Sequence, residues 1–447
     1  MTRPMAGAPA LPQPARRPAP GPESRPAAAP FGVRLRQVAP AGAPIRGGDL
    51  ARWAGRLLGR GDASAALRDA VQTKFGVGHC FPVSTGRAAL TVLLRALARL
   101  APDTRDEVLL PAYTCFSVPA SVVKAGLRPR IVDVDPDTLD FSAAALDAVD
   151  SSRILAVVAT NLYGLPNDLP KLTATAARLG AFLIDDAAQA MGASVGGRPS
   201  GTWGDAGLYS LDKGKNVSAI DGGLLVTSSA AIAAELTQAS RALDHPGAGA
   251  VARDAIKVLA YAALLPPSVY WIPSAIPQLG LGTTRFTMDF PLDAMPSLLA
   301  SLAVTMLPRV DEFNRERTRR AEQLIERLAR TSGVRVPRPV AGSRPVYLRL
   351  PILVDDPAVR PRLIDALMQQ GIGATGSYPT SLADVPDLRP LLVNGEADVP
   401  GARHVAARIV TLPTHPYVSE RDLERTAATV RQTLAAHPPG PPSGAVR

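Results

Sequence analysis

The sequence predicts an α/β fold: a large domain built on a mostly parallel central sheet flanked by helices, then a smaller C-terminal α/β domain. Three observations carry this. Between residues 106 and 229 short apolar runs alternate with helical patterns, and strands separated by helices imply crossover connections and a parallel sheet. Beyond residue 346 two more apolar runs and two helical patterns make a smaller lobe. Between them, "LPRVDEFNRERTRRAEQLIERLART" (307–331) is rich in charge with apolar residues at helical spacing, as expected of a connecting helix.

The first 30 residues are rich in Pro and Ala and lack the apolar core of a secretory signal, so 1–30 is read as a disordered tail. The large domain is expected over 31–300. Within it, "VSTGRAALTVLLRALARL" places Ser84, Thr85 and Gly86 before a helix starting near Arg87. Strands are expected at 106–113, 128–135, 153–160, 181–187, 205–211 and 222–229, with a helix at 168–180 closed by glycine. The small domain is expected over 301–437. It has strands at 346–354 and 407–413, a helix at 357–371, and a helix at 419–437 opening on a Ser-x-x-Asp capping pattern. Residues 438–447, "PPGPPSGAVR", read as a flexible tail.

Bulk properties narrow the function. The chain has 447 residues, 46% of them hydrophobic, and a net charge of +10. Its arginines are scattered rather than clustered, which argues against nucleic-acid binding. Two cysteines, Cys80 and Cys115, and five histidines show no metal-ligand spacing. A reducing, cytoplasmic setting without structural zinc follows. Residues 258–284 carry no charge, yet Pro266, Pro267, Pro273 and Pro277 would interrupt a spanning helix. Burial at a subunit contact or over a substrate is expected there. Shallow, peripheral membrane contact by an apolar hairpin is the alternative.

Ligands of open α/β sheets bind where loops leave the carboxyl ends of strands. Four such loops carry chemistry. Ser84-Thr85-Gly86 at a helix start forms an anion cradle. "FLIDDAAQAMG" ends a strand on Asp185-Asp186, with Gln189 following. "YSLDKGKNVSAIDGG" supplies Ser210 and two lysines, Lys213 and Lys215, either of which offers an amine for a carbonyl. "LPAYTCFSVPASVVKAG" supplies Tyr113 and Phe116 to lie against an aromatic ligand. An anion cradle, a carboxylate, an aromatic and a lysine are together the parts pyridoxal 5'-phosphate needs.

The order of these motifs over roughly 35–436 resembles the DegT/StrS-type aminotransferases, pyridoxal-phosphate enzymes of the aspartate-aminotransferase fold (type I). The run from Asp185 to Thr227 carries the resemblance most specifically. It implies that Lys215, six residues after Tyr209 and directly before Asn216, is the catalytic Schiff-base lysine, and that Lys213 is dispensable. It also implies that Asp186 pairs with the pyridine nitrogen, that Gln189 sits by the ring hydroxyl, and that Ser210, Thr85 and Gly86 hold the phosphate. Several positions depart from the family pattern. Cys115 stands where an aromatic is usual, leaving Tyr113 or Phe116 to stack. Arg87 replaces a small residue. Asn161 replaces the His before "LYG", and Ser377-Tyr378-Pro379 a His-rich loop. "MDFPLDAM" carries Asp289 and Pro291 where an Asn-x-Arg element is usual. Asn161 and Tyr378 are the candidate substrate contacts.

The resemblance implies a homodimeric transaminase moving an amino group, from L-glutamate, onto a keto sugar linked to a nucleotide, in cell-surface polysaccharide or secondary-metabolite synthesis. One alternative keeps the cofactor with a lipid-linked or apolar acceptor at the membrane surface. Another is a non-catalytic regulatory protein of the same fold.

Overall fold

Runs of Val, Leu, Ile and Ala become strands whose two faces are both covered, as a helix-flanked sheet requires. The computed structural model describes residues 36–59, 61–276 and 285–437. The expected tails at 1–30 and 438–447 and the end of the uncharged stretch, 277–284, lie outside the described residues. In chain order the strands are β1 (His79–Val83), β2 (Glu107–Pro111), β3 (Arg128–Val132), β4 (Ile154–Thr160) and β5 (Phe182–Asp186). A small pair, β6 (Ser194–Val195) and β7 (Arg198–Pro199), precedes β8 (Ala206–Ser210) and β9 (Gly223–Thr227). The central sheet has the order β1-β9-β8-β5-β4-β2-β3. Neighbours from β3 across to β8 are parallel, and β9 runs antiparallel to both β8 and β1. The carboxyl ends of all the other strands in this sheet therefore lie along one edge, where β9 begins.

Helices connect these strands. Gly86–Leu100 follows β1, Ser117–Lys124 follows β2, and Leu169–Leu179 lies between β4 and β5. The last ends at Gly180, whose φ of +58° is the left-handed turn that glycine adopts at least cost. The C-terminal lobe contributes β10 (Val334–Arg335), β11 (Ser343–Arg344), β12 (Arg349–Val354) and β13 (Ile409–Pro413). β10, β12 and β13 form an antiparallel sheet, and β11 joins β6 and β7. Helices Val359–Gln369, Pro400–Arg408 and Glu420–Ala435 complete it. Ser419 and Asp422 form the expected capping box. The connecting helix runs Val310–Leu328 and buries Phe313, Ala321, Leu324 and Leu328 at helical spacing.

Some boundaries differ from the sequence expectation, each for a local reason. The run 346–354 joins the sheet only from Arg349. Tyr347 before it has φ +41°, and its carbonyl accepts from Thr414 Oγ1 at 2.7 Å. The run 128–135 leaves the sheet after Val132, because the Asp133 carboxylate accepts from the amides of Gly401 and Ala402 at 2.9 and 2.8 Å. Strand β1 reads poorly in sequence because Pro82 interrupts it. It is an edge strand paired only to β9, where a missing N–H is tolerated.

The uncharged stretch forms the end of the helix Ala248–Leu264 and a turn of helix at Trp271–Ser274. No helix among the described residues is long and apolar enough to cross a membrane. Its inner side packs on the N-terminal segment. Val258 and Leu265 are buried, Tyr261 Oη accepts from the Ala43 amide at 3.0 Å, and the Gln37 amide donates to Pro267 O at 2.8 Å. The outer side of the helix Ala248–Leu264 leaves Ile256 66% and Leu259 53% exposed.

One close approach ties this architecture to the ligand edge. Gly223 opens β9 against the Thr85 backbone, and a Cβ there would collide with the Thr85 carbonyl and press on Ala89. Gly223→Ala is expected to destabilise the chain by about 1–3 kcal/mol, the usual cost of overpacking. A denaturant midpoint equal to the parent's would refute the close approach.

Candidate active site

The sheet register assembles the site. Gly223 pairs with Val83 on one side and Ser210 on the other, so the loop after β1 and the end of β8 are adjacent. Thr85 caps the helix Gly86–Leu100 by accepting from the Ala88 amide at 3.0 Å, and its carbonyl accepts from Ala89. The amides of Gly86 and Arg87 have no acceptor among the described residues, which leaves the positive end of a 15-residue helix open. Ser210, buried, sits against it: a Cβ on Gly86 would lie 3.4 Å from Ser210 Oγ. Ser84 Oγ is buried without a partner beside them.

Asp186 ends β5 and is 7% exposed. One oxygen accepts from the Ala188 amide at 2.9 Å, and the other has no partner among the described residues. Burial pushes this carboxyl up to about 6, against the pull of the Ala188 amide and the Lys215 charge. Lys215 is half-buried, whereas Lys213 is exposed. The geometry thus separates two lysines that the residues alone left equivalent. Asp185, pointing to the opposite face of the strand, has a different task. It accepts from Asn161 Nδ2 at 2.8 Å and from the Gly201 and Trp203 amides at 2.5 and 3.2 Å. Burial raises it to about 7, with the Asn161, Trp203 and Gly201 hydrogen bonds opposing.

Gln189 links the site to the C-terminal lobe. Its Oε1 accepts from the Tyr163 amide at 3.0 Å, and its Nε2 donates to Tyr378 Oη at 2.9 Å. Tyr113 lies edge-on to Tyr378, with ring centroids 5.6 Å apart. Tyr163, held at φ +57°, donates to Ser377 Oγ at 2.7 Å. Burial pushes the Tyr113, Tyr163 and Tyr378 hydroxyls upward, so all three stay protonated near neutrality. Tyr113 and Phe116 are both buried within this packing, and Cys115 between them is half-buried, its sulfur accepting from Ser117 Oγ at 2.9 Å.

Two expected residues are engaged elsewhere. The Asn161 amide donates to Asp185 Oδ1 and to Asp186 O, both at 2.8 Å, and its oxygen accepts from the Asn167 amide. It is thus bound into the loop behind the carboxylates rather than presented to the cleft. Asn216 donates to Asn314 Oδ1 at 2.9 Å, away from Asp186. Among the departures, Arg87 lies over the Phe290 ring at 5.1 Å, with Lys124 at 4.6 Å from the same ring. The segment with Asp289 and Pro291 runs alongside the anion cradle, where Asp293 O accepts from the Ser84 amide at 2.9 Å.

The sequence reading missed Tyr163 and Arg317. Tyr163 is signalled only by the glycine that follows it in the "LYG" turn. Arg317 is signalled by position, since it falls on the apolar face of the connecting helix, in phase with Phe313, Ala321 and Leu324. Among the described residues no group of three or more His, Cys, Asp or Glu could hold a metal ion.

The residues fit pyridoxal phosphate on their own chemistry. An open helix start with the unpartnered Ser84 hydroxyl suits a phosphate, and the free oxygen of buried Asp186 suits a protonated ring nitrogen. Residues 52–431 match the model of the DegT/DnrJ/EryC1/StrS aminotransferase family. The chain is 29% identical to a UDP-N-acetyl-3-dehydro-alpha-D-glucosamine 3-aminotransferase of Acidithiobacillus ferrooxidans, over 84% of this chain and 89% of the relative. It is 31% identical to an L-glutamine:2-deoxy-scyllo-inosose aminotransferase of Streptoalloteichus tenebrarius, over 75% and 73%. The crystal structure of the aminotransferase TlmJ from Streptoalloteichus hindustanus aligns with a TM-score of 0.70 at 26% identity, over 90% of this chain and 99% of that one. The chain belongs to the DegT/DnrJ/EryC1/StrS aminotransferase family and is a pyridoxal-phosphate-dependent transaminase.

Proposed function

We propose that this enzyme transfers an amino group from L-glutamate to the keto group of a sugar, carried on a nucleotide, in polysaccharide or secondary-metabolite synthesis, and that it works as a homodimer. The observation that carries the reading is buried Asp186, which keeps one oxygen without a partner and feels the charge of half-buried Lys215, at the same sheet edge as an open helix start. The two curated relatives support the acceptor class, since one is named for a nucleotide-linked keto sugar and the other for a cyclic keto polyol. The second is named for L-glutamine, so glutamine is the donor to run beside glutamate.

Each residue has a distinct task in this reading. Ser210 and the amides of Gly86 and Arg87 bind the phosphate, and Thr85 holds that helix start in shape. Asp186, already short of water, keeps a proton on the ring nitrogen, because a buried carboxylate gains most from a charged donor. When bound, the cofactor supplies an aldehyde for amines and a ring that withdraws electrons from the carbon being deprotonated. The Lys215 amine would hold the cofactor's aldehyde carbon, and as a free amine it would be the base that moves a proton at the donor carbon. Gln189 sits by the ring hydroxyl, and Tyr378, whose protonated hydroxyl accepts from Gln189 Nε2 and can donate to a sugar oxygen, shapes the acceptor side.

A second reading, a lipid-linked or apolar acceptor at the membrane surface, is favoured by one observation. The helix Ala248–Leu264 turns Ala252, Ile256, Leu259 and Ala263 outward on one face, bordered by exposed Arg253 and Lys257. An apolar stripe with basic edges suits an anionic bilayer.

Three outcomes test these readings. Lys215→Ala is expected to lower transamination of a keto-sugar panel by roughly 10³-fold or more and to abolish the visible band of the lysine-linked cofactor, while Lys213→Ala behaves as the parent. Equal turnover in the Lys215 variant sinks the assignment. For Asp186, burial raises the folded carboxyl above its unfolded value, so the cofactor-free parent loses stability as pH rises from about 4 to about 6. Cofactor-free Asp186→Asn should therefore gain on the parent across that window and hold a constant advantage above it. Parallel pH curves in denaturant melts would show that Asp186 is not desolvated. For the surface reading, the enzyme should co-sediment with phosphatidylglycerol-rich vesicles, and Ile256→Glu with Leu259→Glu should release it. If the parent stays in the supernatant, or if the double variant instead halves the particle mass in solution, the stripe belongs to a second copy.

A further inference from the structure

Arg317 is the largest fully buried charged side chain among the described residues, at 0% exposure, and it has no carboxylate for company. Its hydrogen bonds go to backbone carbonyls. Nη1 donates to Asn216 O at 2.8 Å, and Nη2 donates to Lys215 O at 3.0 Å and to Gly42 O at 2.9 Å. Nε has no partner. The Phe313 ring lies 6.0 Å away, and the charged or titratable neighbours are Tyr261, Arg320 and His415. Burial, helped by the neighbouring Arg320 charge and opposed by Tyr261, pulls the guanidinium down to about 10. A buried cation without a counterion is costly to hold, and leucine would fill a helix face more cheaply. The position therefore calls for an explanation other than packing.

What the guanidinium does geometrically is join three pieces of chain. It reaches from the connecting helix to two consecutive carbonyls of the lysine loop and to the N-terminal segment. The neighbouring contacts act in the same sense: Asn216 Nδ2 bonds Asn314 on the same helix, and Tyr261 Oη bonds the Ala43 amide. The rest of the lysine loop turns tightly on Gly214, at φ +81°, with the Lys215 amide bonded to Asp212 O at 3.2 Å. We propose that Arg317 is a positioning residue for Lys215, fixing the lysine's own peptide carbonyl and so the direction in which its amine leaves the loop toward Asp186.

This rests on the proposed role of Lys215, and it differs from a general stabilising role in one measurable way. Pyridoxal phosphate bonds the lysine, whereas pyridoxamine phosphate carries an amine in place of the aldehyde and cannot. Both occupy the same phosphate cradle. In cofactor-free Arg317→Met and Arg317→Lys, the Kd for pyridoxal phosphate should rise by about tenfold or more in the Met variant, the loss expected when charge-assisted hydrogen bonds are removed. The visible band of the lysine-linked form should fall with it. The Kd for pyridoxamine phosphate should stay near the parent's. Arg317→Lys, which keeps the charge and reaches fewer carbonyls, should lie between, and it decides the matter where the Met variant does not fold. Equal weakening of both cofactor forms, or of neither, overturns the proposal. The Lys215→Ala control is separate: a visible band surviving there would sink the role given to Lys215, whatever the Arg317 variants do.

Discussion

Asp186 has given up its water at the end of a parallel strand, and the site is arranged around that fact. A carboxylate in this position is poorly solvated, keeps one oxygen without a partner, and is drawn toward ionisation mainly by a backbone amide and a lysine charge. Left alone it is a liability. Opposite a protonated heterocycle it becomes a strong, directional acceptor, because the water that would compete has already been removed. Its neighbour on the strand shows the contrast. Asp185 is as deeply buried, but three donors meet it, and it serves to tie the loop at 200–203 to the turn at Asn161. Alternation along a β-strand sends one acid to the ligand side and the other to the scaffold.

The sheet makes this economical to build. Six strand ends and the start of β9 meet at one edge, so residues far apart in sequence are brought together by backbone pairing rather than by long side chains. Gly223 is the pivot of that edge, lying between Val83 and Ser210 and directly under the Thr85 carbonyl. The anion cradle and the end of β8 can approach only because no side chain stands between them. Gln189 and Tyr378 then carry the edge across to the C-terminal lobe, and Tyr113 and Tyr163 of the large domain meet Tyr378 and Ser377 there in a network of protonated hydroxyls.

How much of this was legible in the sequence depended on the range of the interaction. Asp186, Ser210 and the Thr85-Gly86 helix start are local: a strand end or helix cap fixes what each backbone does, and the type of side chain fixes its chemistry. The order of secondary structure was legible for the same reason, from the alternating apolar runs to the Ser419 capping box. Choosing Lys215 over Lys213 from the residues alone was not possible, because burial two positions along a loop is set by what packs on it. The partners of Asn161 and Asn216 were hidden for a related reason. Each has a polar side chain at a ligand-side loop, and each is engaged by residues 24 and 98 positions away. Strand β1, with Pro82 one residue from its end, is explained only by its place at the sheet edge.

Arg317 shows the same limit from the other side. Its position on the apolar face of the connecting helix was visible as a conflict of pattern, a charge at a spacing that belongs to Phe313 and Leu324. Conflicts of that kind concentrate where function overrides packing. Here the conflict is resolved by three carbonyls that no sequence window contains together, from Gly42, Lys215 and Asn216. The same helix thus packs against the core and grips the lysine loop, while the helix Ala248–Leu264 supports the N-terminal segment through Tyr261 from the other side. The loop that presents the amine is in this way gripped by a helix that is itself fixed by apolar burial, and rigidity at the reacting atom derives from the hydrophobic core behind it.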